Sequence, residues 1–203
     1  MPAKKKVAVK KKPPAKRKPA AKKKPPAKQK PAAKKKPSGN AGPPRRPGEF
    51  RAWLVKTEPD VYSIDDLARD GRTMWDGVRN YQARNSMRDE MRPGDPVFIY
   101  HSNADPLAVV GLARVAGEAY PDPTAFDAGD EHFDPKSKPE DPTWMLVDLE
   151  HVETFPRPLT RAELAATPKL KDMALLARGS RLSVQPVTRA EHDTLRALAA
   201  RPA

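Results

Sequence analysis

Residues 49–203 predict an α+β fold: a small, partly closed β-barrel with short peripheral helices. Three observations lead there. Apolar runs of unequal length carry strand patterning, the helix-start signals introduce only short helices, and strict strand–helix alternation is absent, which argues against a doubly wound sheet. About 155 residues suit one domain with its own core.

The elements follow in order. Structure is expected to begin near Phe50, with a first strand over Arg51 to Lys56, ended by Thr57-Glu58-Pro59-Asp60. Ser63 can cap a helix, Asp66 occupies the third position and Tyr62 can staple onto Leu67, while Gly71 keeps that helix short. Thr73 to Trp75 predicts a short strand, and Val78 to Met91 a loop leading into a helix. Pro93-Gly94-Asp95 is a turn before the apolar strand Val97 to His101. Leu107 to Val115 is the next strand, and its Gly111 predicts a bulge or a close backbone approach. Tyr120 to Pro142, rich in Pro and Asp, reads as a long loop; Trp144 to Val152 alternates as a strand. Thr160 with Glu163, and Thr188 with Glu191, have capping-box spacing, and a short strand over Leu182 to Val187 lies between those two helices.

Charge divides the chain sharply. The formal net charge is +13, yet residues 1–48 hold 19 Lys and Arg and no acid, so residues 49–203 carry 20 basic against 26 acidic side chains, a net of −6. The basic segment contains a twelve-residue direct repeat, Pro13 to Lys24 and Pro25 to Lys36, differing only at Arg17 and Gln29. It has almost nothing large and apolar to bury, so it is expected to be disordered. Its prolines favour extended stretches. Such a Lys/Pro/Ala tail is the composition of a nucleic-acid arm. Ser38 to Pro44 reads as a flexible joint.

Other classes lose support. The chain has no Cys, so disulfides and thiolate metal sites are excluded. His101, His132, His151 and His192 fall in no metal-binding spacing, and no cofactor is expected. There is no GxSxG, Walker loop or GxGxxG, so an enzyme is not expected. No apolar run approaches the roughly 20 residues of a membrane helix, and the basic N-terminus lacks the apolar segment of a secretory signal.

One stretch concentrates recognition chemistry. Trp75 to Asn85 (WDGVRNYQARN) packs an indole, a phenol, two guanidiniums and three amides into eleven residues. An aromatic face stacks on a base, amides read its edge, and Arg contacts phosphate. The competing reading makes Trp75 and Tyr81 core residues and the polar groups helix caps. Two weaker clusters are Tyr100-His101-Ser102-Asn103 at a strand end and Arg178 to Val184.

These segments, in this order, resemble the EVE-domain family. The resemblance rests on WLVKTEP (Trp53 to Pro59), YSIDDL (Tyr62 to Leu67), WDGVRNYQARN, GDPVFIYHSN (Gly94 to Asn103), VVGLARV (Val109 to Val115), AYPDPTAFD (Ala119 to Asp127) and RLSVQPV (Arg181 to Val187). It implies a PUA-like barrel related to the YTH readers of methylated adenine, with a pocket for a modified base, modified cytosine in DNA being favoured. By that analogy Lys56, Thr57, Trp75, Val78, Asn80, Tyr100, His101 and Ser102 surround the base. Arg79, Arg84, Arg88 and Arg181 are expected at the nucleic-acid backbone. Thr57 departs from the Ser usual in the family, and its extra methyl narrows the pocket.

The expectation is a monomeric reader in which the tail supplies phosphate affinity and the domain supplies selectivity. It would be cytoplasmic and nucleoid-associated in a bacterium, or nuclear in a eukaryote. The rival readings are a histone-like architectural DNA-binding protein, and an RNA-modification reader or an enzyme acting on a base.

Overall fold

The computed structural model describes residues 49–202; the basic tail and its expected disorder lie outside them. Eight strands form: β1 (Ala52–Thr57), β2 (Arg72–Met74), β3 (Pro96–His101), β4 (Ala108–Val115), β5 (Tyr120–Pro121), β6 (Met145–Leu146), β7 (Asp148–Thr160) and β8 (Val184–Val187). Four α-helices accompany them: α1 (Ile64–Asp70), α2 (Tyr81–Asn85), α3 (Arg161–Ala165) and α4 (Arg189–Ala199). Six strands make one curled half-barrel sheet in the order β2-β7-β4-β3-β1-β8, and β5 pairs with β6. Only β1 and β3 run parallel, with Lys56 beside Tyr100 and Thr57 beside His101.

Strand alternation sorts the side chains into two cores. Trp53, Val55, Val97 and Ile99 face inward, where Ile64, Leu67, Trp75, Val78 and Met87 join them. Ala52, Leu54, Phe98 and Tyr100 face outward, under Leu164, Leu170, Leu195 and Leu198. Burial on both faces explains why β1 and β3 read as nearly unbroken apolar runs.

The local signals hold where their chemistry is complete. Ser63 and Asp66 form a reciprocal capping box on α1, and Thr188 and Glu191 form another on α4. On α3, Thr160 accepts from the Glu163 N–H. The Glu163 carboxylate there is held by Arg157 at 2.7 and 2.8 Å. The turn that leads into β3 is anchored from within, because the Trp53 indole and the Arg92 N–H both donate to buried Asp95 at 3.0 Å. At Gly111 the β4–β7 register shifts, and a Cβ there would lie 2.6 Å from the Glu153 carbonyl and 2.7 Å from Ile64 Cδ1. Glycine is required where α1 presses on the sheet.

Three elements differ from expectation, the first being β5, which forms at the start of the stretch read as a loop and pairs with β6. The run Trp144 to Val152 is not one strand: it breaks at Val147 into β6 and β7, and β7 continues through Pro156 and Pro158. β2 pairs only with Asp148 to Glu150, so the far half of β7 is bonded on the β4 side alone, which tolerates proline. The helix after Asn80 is α for one turn and then widens to a π-helix over Ser86–Glu90.

Candidate nucleic-acid interface

The Trp75 segment leaves β2 and is clamped at every step. The Trp75 N–H donates to the Val147 carbonyl at 2.9 Å, and the ring is 8% exposed within the inner core. Gly77 adopts φ +71°, with the His132 imidazole 2.8 Å from where a Cβ would stand. The Gly77 N–H donates to Asp122 at 3.1 Å. Asn80 caps α2, its side-chain oxygen accepting from the Ala83 N–H at 3.0 Å. Its own side chain is otherwise exposed.

Arg79 ties this segment to the long loop. Its guanidinium meets Asp122 at 2.7 Å, donates to the His132 carbonyl and to Thr124 Oγ1, and lies 5.4 Å from the centre of the Trp144 ring. Asp122 has a side chain 1% exposed. Burial alone would raise its pKa; bonds from the Thr124 hydroxyl, Arg79 and the Thr124 N–H outweigh that and hold it below the ordinary carboxylate value. Neighbouring Asp76 is pushed upward, first by desolvation and then by the Asp122 charge.

On the outside of this segment Tyr81 is 61% exposed, its ring 5.0 Å from that of Trp144, with the Arg84 guanidinium 5.2 Å from its centre. Trp144 is buried, and its indole donates to Asp134 at 2.7 Å.

A second group forms at the parallel strand ends. Thr57 Oγ1 donates to the Tyr62 carbonyl at 2.8 Å, and Ser102 donates to the Thr57 carbonyl through its N–H and its hydroxyl. His101 Nε2 accepts from the Ile64 N–H at 3.1 Å, so that ring nitrogen is unprotonated. Burial lowers the pKa of His101, with the Asp65 charge opposing.

Lys56 and Tyr100 belong to the opposite face of the same strands, by alternation from Thr57 and His101. The Lys56 ammonium donates to the Ser180 carbonyl at 3.2 Å; burial and then the Arg161 charge lower its pKa. Burial raises that of Tyr100. The sheet therefore divides the eight sequence-derived pocket residues: Thr57, Trp75, Val78 and His101 face inward, Lys56 and Tyr100 outward, and Asn80 and Ser102 sit in loops at the edge.

A family model for the EVE domain matches residues 51–198. The chain belongs to the EVE-domain family. Thymocyte nuclear protein 1 of Homo sapiens is 41% identical to it over 160 residues, 70% of each chain. The Danio rerio relative of the same name is 42% identical over 163 residues, 71% of this chain and 70% of the relative. Among solved structures, a hypothetical protein from Leishmania major superposes with a TM-score of 0.72 at 44% identity, covering 76% of this chain and 97% of the other. Human THYN1 protein, solved in complex with 5-methylcytosine-containing DNA, superposes at 0.70 with 40% identity, covering 75% and 99%.

Within this EVE domain, three of the four arginines expected at the nucleic-acid backbone are engaged internally. Arg79 is held by Asp122, Arg88 pairs with Asp89 at 2.6 and 2.7 Å, and Arg84 bonds Asn85 and the Thr143 carbonyl. Arg181 is exposed. Asp122, His132, Trp144 and Arg161, which frame these groups, were not singled out by sequence. The acid-rich stretch AYPDPTAFD carried a signal for Asp122, because an acid amid prolines is a natural loop anchor, but its partner Arg79 lies 43 residues away. Among the described residues no group of three or more His, Cys, Asp or Glu side chains could hold a metal ion. No helix there is long and apolar enough to cross a membrane.

Proposed function

We propose that this protein reads a modified cytosine in DNA. The observation that carries the reading is the 40% identity, over 99% of its chain, to a relative solved on 5-methylcytosine-containing DNA. The domain's own chemistry fits that use. A base drawn out of the duplex needs an apolar aromatic wall and edge-reading polar groups. Trp75 and Val78 supply the wall, and Thr57, Asn80, His101 and Ser102 supply hydroxyl, amide and imidazole groups on the inner side and its edge. Nε2 of His101 accepts from the Ile64 N–H, which holds the ring against α1 and leaves its protonated Nδ1 as the donor for a base edge. The reading requires no reaction.

The division of labour follows from charge. A domain of net −6 attracts duplex DNA poorly by itself, whereas the 19 cations of residues 1–48 supply sequence-independent affinity by counterion release. Removing residues 1–48 is expected to make the salt dependence of binding much shallower while leaving the preference among bases intact.

The test is a panel of duplexes differing at one position, carrying cytosine, 5-methylcytosine, other modified cytosines or thymine, with matched RNA strands, measured by anisotropy at one salt concentration. A modified cytosine in DNA should bind at least about tenfold tighter than cytosine, roughly 1.4 kcal/mol. Equal affinity across the DNA panel would leave only an architectural role, and tighter binding of the RNA series would move the protein to RNA reading.

A further inference from the structure

The outward rim of the sheet carries two cations whose neighbours do not account for them. Most arginines of this domain face a carboxylate: Arg69, Arg72, Arg79, Arg114, Arg157 and Arg196 each do. Lys56 and Arg161 do not. The Lys56 ammonium bonds one carbonyl, that of Ser180, and the Arg161 guanidinium bonds one carbonyl, that of Leu176 at 3.3 Å. Neither has an acid within ion-pair reach among the described residues, although both are half-buried. Two like charges placed together in partial burial destabilise each other unless an anion joins them.

Topology explains why they meet. The β4–β7 pairing sets Thr160 opposite Ala108, which in turn lies opposite His101, and the Arg161 N–H donates to the Leu107 carbonyl at 2.7 Å. Arg161 therefore stands at the rim where β1 and β3 end, and its charge acts on both Lys56 and Tyr100. Lys56 and Tyr100 are register neighbours on the same face. The Tyr100 ring is 4% exposed, and its hydroxyl has no hydrogen-bond partner among the described residues. Two ammonium protons of Lys56, the remaining guanidinium donors of Arg161 and the Tyr100 hydroxyl are left for an acceptor-only ligand. The connection that supplies the Ser180 carbonyl adds Arg178 and Arg181, both exposed.

We infer that Lys56, Arg161 and Tyr100 form a phosphate site that grips the nucleic-acid backbone at the outward rim of the sheet, while Thr57 and Trp75 face the base on the inward side. This rests on the base-reading function proposed above. Consecutive residues of β1 point to opposite faces, so a strand that delivers its base inward past Thr57 carries its phosphodiester over Lys56. A phosphodiester is the expected anion because the cations sit beside that inner group through one peptide unit, and a guanidinium with an ammonium matches its two free oxygens. The cations that meet DNA on the folded domain would then be Lys56 and Arg161, in place of Arg79 and Arg88, which are neutralised internally.

The experiment is a methylphosphonate scan on full-length protein. Duplexes with one modified cytosine carry a single neutral methylphosphonate at successive positions around it. Wild type is expected to lose about tenfold in affinity at one or two positions beside the modified base. Arg161→Gln and Lys56→Gln should lose about the same on the unsubstituted duplex, lower the log–log salt slope by about 0.9 per phosphate lost, and be indifferent to the methylphosphonate at that position. Arg161→Lys should restore part of the affinity, and unchanged melting of all three variants shows that the fold is intact. Wild-type affinity and slope in both Gln variants would overturn the assignment, as would losses that add to every methylphosphonate equally. Protection of wild type from thermal unfolding by inorganic phosphate over chloride at equal ionic strength, without any positional methylphosphonate response, would assign the cations to a free anion and overturn the phosphodiester. Failure of the base reading appears separately, as no preference for modified cytosine in wild type, while the phosphate contact remains measurable on unmodified duplex.

Discussion

The Trp75 segment and the Thr57–His101 rim are both called on to meet a base, yet they are built in opposite ways. The Trp75 segment is a loop, and charge fixes it: Arg79, Asp122, Thr124 and His132 hold residues 76–80 against residues 122–132 across the surface. The rim is fixed by backbone groups, with Ser102 on the Thr57 carbonyl, Thr57 on the Tyr62 carbonyl and the Ile64 N–H on His101. A loop has no ladder to satisfy its backbone and depends on side chains that reach it. Strand ends inherit their positions from the sheet and need only local bonds. The first region should therefore respond to acid through Asp122, and the second nearer neutrality through His101.

The largest effect is expected at Trp75. Its burial in the inner core means that Trp75→Ala opens a cavity and costs about 3–5 kcal/mol of stability, read as a drop in denaturation midpoint. Trp75→Phe retains most of the packing and should separate the roles, with melting near wild type and a roughly tenfold weaker affinity for the modified base, from the 1–3 kcal/mol that base stacking is worth. Normal binding by Trp75→Phe would return the indole to the core alone.

Asp122→Asn comes next, at about 3 kcal/mol, the lower end for removing one partner of a buried pair, because Arg79 keeps its bonds to His132 and Thr124. The pKa of Asp122 is depressed in the fold, so its contribution is present above the unfolded value near 4 and is lost as pH falls through the folded value. Stability of wild type should decline below about pH 4 and the variant should decline less. Parallel acid curves would show that the clamp does not depend on the charge.

At the rim the effect is smaller and shifted. His101 is half-buried and neutral, with burial holding its folded pKa below the unfolded value of about 6.5, so its contribution is full above that pH and falls as pH drops from there toward the folded value. His101→Ala leaves the Ile64 N–H without its acceptor, a loss of about 1–3 kcal/mol at pH 8, and should remove that part of the pH dependence. A pH dependence between 5 and 7 unchanged in the variant would assign it to another group.

The smallest expected effect sharpens the comparison within one side chain. Asn80→Ala removes the cap of α2, about 1 kcal/mol. Asn80→Asp keeps a capping oxygen and removes the amide donor, so melting should match wild type while the preference for modified cytosine drops. Retained preference would limit Asn80 to capping.

Strands β1, β3 and β4 and the caps at Ser63, Thr160 and Thr188 were legible because each depends on neighbours within a few residues, and the Gly111 irregularity was legible because a glycine inside an apolar strand marks a close approach even when the approaching groups, Glu153 and Ile64, are distant in sequence. The extent of β7 was not, since prolines argue against a strand until it is known that one edge of β7 is unpaired there. The π-helix after α2 carried no comparable local signal.

The candidate site was legible as a set of segments and not as an arrangement. WDGVRNYQARN shows which chemistry is concentrated, but it does not show that Arg79 is neutralised by Asp122 or that Trp75 is enclosed in the core. Lys56-Thr57 reads as one motif, and only the sheet sends its two side chains to opposite faces.

By itself the sequence determined the division into a polybasic segment and an acid-rich domain, the family, and the positions of most strands and helix starts, because composition, alternation and capping are written within short stretches of chain. The tertiary structure alone decided which cations remain available for a ligand. An ion pair depends on distance through space, and the partners of Arg79, Arg114 and Arg157, like the absence of one beside Lys56 and Arg161 among the described residues, are fixed only when the sheet curls and the loops close over it.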